Sequence, residues 1–315
     1  MTKLLPANDR MRNLRTLSAG RDLLFVTDDE RLREHLDSLA LPASLWSPEL
    51  AVEEGSHVVL ALCHQLVSRT VRQQFSPAAV LVLPIYSFDD SYEAIEYTLQ
   101  LMLATDYCDA CRRNEEWLDL LRDKPDGQFR FLGVNTDLRC QLHDQLVAST
   151  SLAPVIEKGE WVSIADYCEV SVTAPSQLDW CGAFTIDGHA EASGMLVAED
   201  SRVTPTGRQR VEEAKGLRRR ILKNAPVSLE VTSGVLTSVV AGGREWVREI
   251  SDVTNPDYGL HTLELGLGSN PGIAALVDWT INSQLNEGVG RVHLGYGEGM
   301  TGAHMDFIID RATLS

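Results

Sequence analysis

The sequence has no run of about 18 consecutive apolar residues, so nothing in it reads as a transmembrane helix. The opening MTKLLPANDRMRNLRTLSAG breaks every apolar stretch with charge or proline, unlike a secretory signal peptide, and a cytoplasmic location is expected. Cationic side chains are scarce: 28 Lys and Arg stand against 45 Asp and Glu, a formal net charge of −17. So acidic a molecule repels phosphate backbones, which argues against nucleic acid as a partner. Cysteine is thin as well, with six residues spread over 315, unlike the dense spacing of a small disulfide scaffold. The one C-x-x-C, Cys108 to Cys111, has no second pair to complete a zinc site and no strand before it as a redox motif requires. No strand-to-helix turn in the first half is glycine-rich, which argues against a nucleotide cradle there.

What the chain does have is 44% hydrophobic residues, enough for a large core. From residue 21 short apolar runs alternate with amphipathic segments: DLLFVT, HVVLALC, AAVLVLPIY and FRFLGV, each followed by a helical pattern, the last by NTDLRCQLHDQLVAS. That rhythm predicts an α/β domain with a mostly parallel sheet over residues 1–160. Residues 161–315 turn to shorter strands punctuated by glycine and predict a β-rich α+β domain. The basic cluster Lys215 to Lys223 reads as a solvated face, with carboxylate or peptide binding as the lesser alternative.

The chemistry concentrates near the C-terminus. In AHMDFIID, Ala303, Met305, Phe307 and Ile309 alternate with His304, Asp306, Ile308 and Asp310, so His304 and Asp306 share one strand face. In RVHLGYG, His293 faces away from Val292 and Leu294, and in HTLELGLG, Glu264 faces away from Leu263, Leu265 and Leu267. Between them Asn270 and Pro271 read as the N-cap and first residue of a helix that buries Ile273, Leu276, Val277 and Ile281 and ends at Gly288. A dinucleotide loop at LGLGSNPG is the rival reading; it lacks a third glycine and the following βα unit. The unit could carry Glu264, His293, His304 and Asp306 to one locus, a donor set suited to zinc, manganese or ferrous iron.

LELGLGSNP, NEGVGRVHLGYG and the closing HMD resemble the corresponding segments of the metal-dependent aminopeptidases of the aminopeptidase T type, whose relatives include 2,5-dihydroxypyridine dioxygenase. The resemblance implies metal ligands at Glu264, His293, His304 and Asp306, a metal-activated water, a homodimer and a peptide or small amide as substrate. Two departures stand out. CGAFT places Ala183 where such peptidases carry a further metal-binding glutamate, and Tyr296 stands displaced from their catalytic tyrosine. The absent carboxylate leads to the expectation of a single divalent ion. Three functions follow: a divergent hydrolase with Glu298 as candidate general base; a peptide-binding protein guiding a precursor peptide in natural-product biosynthesis; or a mononuclear iron-dependent dioxygenase.

Overall fold

A computed structural model describes residues 7–65, 67–123, 126–143, 146–174 and 183–315. Among them, the expected parallel sheet is present, built on DLLFVT, HVVLALC and AAVLVLPIY but not on FRFLGV, which pairs antiparallel in another sheet. Strands β1 (Leu23–Thr27), β2 (Ala43–Leu45), β3 (His57–Ala61), β4 (Ala79–Val82) and β8 (Trp161–Ser163) run parallel in the order β2-β1-β3-β4-β8. One face buries Phe25, Val59 and Leu81 against helices α1 (Ala7–Leu17), α2 (Glu30–Ser38), α4 (Tyr92–Ala104) and α5 (Tyr107–Asp123). The other packs Val58, Leu60 and Val80 on Val71 and Phe75, at α3 (Arg69–Gln74). Apolar residues on both faces are what such runs as HVVLA require. The helices start where short polar side chains take up free backbone N–H groups: Asp29 accepts from Leu32 N, and Ser91 from Ala94 N.

Two antiparallel sheets complete the fold. One has the order β14 (Arg244–Glu245), β13 (Val235–Ala241), β12 (Val227–Thr232), β10 (Phe184–Ala192), β6 (Thr136–Leu142), β5 (Gln128–Gly133), β18 (Ala312–Leu314). The other runs β11 (Gly194–Ala198), β17 (His304–Ile309), β16 (Val292–Tyr296), β15 (Thr262–Gly268), β9 (Glu169–Thr173), β7 (Val147–Ser149). Their inner faces share a core of Ile186, Leu229, Val172, Leu265, Leu294 and Phe307, together with residues of α7 (Pro205–Leu222) and α8 (Val247–Val253). The short α6 (Ile164–Cys168), held by a capping box of Ser163 and Asp166, links β8 of the parallel sheet to β9 of the site sheet. No helix among the described residues is long and apolar enough to cross a membrane.

Three local expectations change. NTDLRCQL is not a helix but strand β6: Thr136, Leu138, Cys140 and Leu142 are buried while the residues between them are not. Asn135, at φ 58°, closes a two-residue hairpin with β5. The helix expected from Pro271 to Gly288 is replaced by two 3-10 turns, Pro271–Leu276 and Gln284–Val289. Asn270 makes no cap and donates instead to Thr105 Oγ1 at 2.9 Å. The intervening backbone cannot coil because its carbonyls are taken. Arg218 of α7, 2% exposed rather than solvated, donates to Trp279, Thr280 and Ile281 oxygens at 2.7–3.0 Å and to Met195 O at 2.6 Å.

Candidate metal centre

Each strand of the site sheet sends alternate residues to the core and the rest to the opposite face. On β15 Leu265 and Leu267 go inward and Glu264, Gly266 and Gly268 outward. On β16 the inward residues are Val292, Leu294 and Tyr296, leaving His293 and Gly295 outward; on β17 they are Met305, Phe307 and Ile309, leaving His304 and Asp306. β9 repeats the pattern, with Val170 and Val172 inward and Glu169 and Ser171 outward. Register then sets the neighbours: Gly295 lies opposite both Glu264 and Asp306, His293 opposite Gly266, and Gly268 opposite Glu169.

The two central glycines are there to make room. A Cβ on Gly266 would lie 1.9 Å from His293 Cε1, because the imidazole rests on that backbone. A Cβ on Gly295 would lie 2.8 Å from Asp306 Oδ1, 2.8 Å from His304 Cε1 and 2.9 Å from Glu264 Cβ, in the space those three side chains enclose.

Among the described residues two donor groups result, in each of which one atom per residue lies within 4.8 Å of the others: Glu264, His304 and Asp306, and Glu169, Glu264 and His293. Glu264 belongs to both. In the first, His304 Nε2 stands 2.9 Å from Asp306 Oδ1 and 3.3 Å from Glu264 Oε2. In the second, His293 Nε2 stands 3.5 Å from Glu169 Oε2. A tetrahedral ion with bonds near 2.05 Å has donor-to-donor edges of about 3.3 Å, so these separations suit one. The first group opens to solvent, Glu264 and His304 side chains being 20% and 19% exposed; in the second, His293 and Glu169 are 1% and 6% exposed. His304 Nδ1 lies 2.7 Å from Gly297 O, which directs Nε2 into the group.

The electrostatics call for a cation. Burial, reinforced by the charges of Glu264 and Asp306, pushes the Glu169 carboxyl well above the usual range, and Glu287 behind it is raised in the same way. Burial would also raise Glu264, but hydrogen bonding and charge from His304, with help from His293 and Ser171, hold it down to about 2. Burial disfavours the His304 cation, yet Asp306 and Glu264 outweigh it and hold that imidazole protonated well above its ordinary value. Among the described residues, Glu169 Oε2 and Asp306 Oδ2 are buried with no hydrogen-bond partner. Buried polar atoms left unpaired around a glycine-lined space are what a bound dication would satisfy, so the residues fit one.

All four expected ligands therefore reach one face, but they divide between two adjoining groups, with His293 paired to Glu169 rather than to His304 and Asp306. The position of the carboxylate expected at Ala183 offers no donor, and a different carboxylate stands beside His293. Ala183 is a wholly buried core residue, Cys181 and Gly182 beside it lie outside the described residues, and the carboxylate beside His293 is that of Glu169 on β9. The signal was in CEVSVTAP, whose alternation puts Glu169 and Ser171 opposite Val170 and Val172. Glu298 is in neither group; its Oε1 accepts from Thr301 N at 2.8 Å and Thr301 Oγ1 at 2.5 Å and braces the turn. Tyr296 points to the core, edge-on to Phe307 with ring centroids 5.8 Å apart.

No curated protein matches the chain. Among solved structures, 2,5-dihydroxypyridine dioxygenase from Pseudomonas putida KT2440 is similar at a TM-score of 0.52 and 12% identity, over 98% of this chain and 92% of that one. Wild-type AmpT from Thermus thermophilus is similar at a TM-score of 0.51 and 13% identity, over 98% and 93%. Identities this low speak to a shared fold alone. The model of one family, described as crocagin biosynthetic protein CgnE/B, matches residues 20–315, and the chain belongs to that family.

Proposed function

We propose that this protein binds a precursor peptide during natural-product biosynthesis and holds it without cutting it. The family match over residues 20–315 carries this reading. The site supports it, because the two side chains best placed in sequence to move protons serve the fold: Tyr296 is packed in the core and Glu298 is tied to Thr301. Divalent zinc, manganese or iron belongs to the reading as a structural ion. Glu264, His304 and Asp306 would hold one in the open group, and Glu169, Glu264 and His293 a second in the closed one. The two ions would offset the mutual repulsion of the buried carboxylates and together tie β9, β15, β16 and β17. A homodimer in the cytoplasm completes the proposal, with light scattering as the test of its mass.

The decisive experiment titrates the full chain with the pathway's precursor peptide by calorimetry, with and without a chelator, and recovers the peptide for mass spectrometry. Binding of intact peptide at an affinity the chelator leaves unchanged is expected. Failure to bind, or cleavage, overturns it.

A second reading, metal-dependent hydrolysis of a peptide or amide, is favoured by the carboxylate shared between two donor groups, one of them open to solvent. When bound, a dication supplies a Lewis acid and an acidified water. Glu264, His304 and Asp306 would orient it, and Glu298 remains the candidate base once the turn releases it. Release of amine from aminoacyl substrates, dependent on zinc or manganese and lost in Glu298→Gln, would replace the binding role with this one.

A further inference from the structure

We propose that Ser171 is a positioning residue: its hydroxyl fixes the carboxylate of Glu264 in the orientation that serves both donor groups at once. The inference rests on the reading of those groups as metal ligands.

Ser171 lies on the outward face of β9 next to Glu169, opposite Gly266 in register with β15. Its Oγ donates to Glu264 Oε1 at 2.5 Å, while Glu264 Oε2 stands 3.3 Å from His304 Nε2. The carboxylate is thus held at both oxygens, one from β9 on the side of the closed group and one from β17 on the side of the open group. No donor other than Glu264 is common to the two groups, so its orientation bears on both. Gly266, opposite Ser171, presents no side chain, and the His293 imidazole lies over its backbone. A hydroxyl donating to an ionised carboxylate makes a short, charge-assisted bond, and partners of this kind behind a ligand typically contribute about 10–100-fold to metal affinity.

The test compares the full-length protein with Ser171→Thr, Ser171→Val and Ser171→Ala, measuring zinc affinity by calorimetry and the visible spectrum of the cobalt(II) form, with circular dichroism to check folding. Thr and Val have nearly the same shape, so their difference isolates the hydroxyl even where Ala disturbs packing. Thr is expected to keep the affinity and cobalt spectrum of the parent, and Val and Ala to lose about 10–100-fold with an altered spectrum. Equal binding by Thr and Val, whether both match the parent or both fall, overturns the role of the hydroxyl. A parent protein that takes up neither zinc nor cobalt removes the metal reading and this inference together.

Discussion

Substituting Gly295 by alanine tests the open donor group without touching a ligand. The new methyl would come within 2.8 Å of both Asp306 Oδ1 and His304 Cε1 and 2.9 Å of Glu264 Cβ, against ordinary contact from 3.4 Å, so the first two must each yield 0.6 Å. Asp306 and His304 close on the glycine from β17 and Glu264 from β15, so no single retreat clears the overlap. A retreat of that size carries the 3.3 Å separation of His304 Nε2 from Glu264 Oε2 well beyond the edge of about 3.3 Å that a tetrahedral ion allows. Overpacking of this size costs about 1–3 kcal/mol in the metal-free protein. We expect zinc content after dialysis, read by elemental analysis, to fall from two ions per chain to one. Gly272→Ala, whose Cβ meets nothing within 4 Å, is the control and should keep both. Equal zinc content in Gly295→Ala and the parent would refute the assignment of this space to an ion.

Further outcomes follow from the same geometry. Glu169→Gln should leave the metal-free melting temperature unchanged or higher, since burial already favours the uncharged acid, while abolishing the closed-group ion. Arg218→Met leaves four carbonyls of Met195, Trp279, Thr280 and Ile281 without their donor, and urea unfolding should show a loss of at least about 3 kcal/mol. With chelator present, Glu264 has a folded value near 2 against an ordinary 4.5, so its contribution is complete above that ordinary value and drains away as pH falls towards 2. His304 is raised, so its contribution is full below its ordinary 6.5 and disappears as pH climbs through the higher folded value. Thermal melts across that range should therefore steepen in pH dependence on the acid side, and Glu264→Gln should flatten it.

Much of the site was legible in the residues. The period-two alternation of LELGL, VHLGY and HMDFII assigns Glu264, His293, His304 and Asp306 to the face opposite the leucines and valines, and all four are found there. The parallel sheet was equally legible, because HVVLA and its neighbours are apolar on both faces and the segments between them are amphipathic. Where a short pattern admits two periods, local reading failed: TDLRCQL passes for an amphipathic helix until its pairing with β5 and β10 settles it as a strand. The 3-10 turns after Pro271 have a similar cause, since a guanidinium on a helix more than fifty residues upstream holds the carbonyls there.

Alternation along a strand is a local property, imposed by the backbone on every second side chain, and it alone determined which residues of this protein could face an ion. Which strands lie side by side is not local. It comes from burying whole faces against a common core, and only that brought β9 to β15, made Glu169 the neighbour of His293, and divided the expected ligands between two candidate donor groups sharing Glu264.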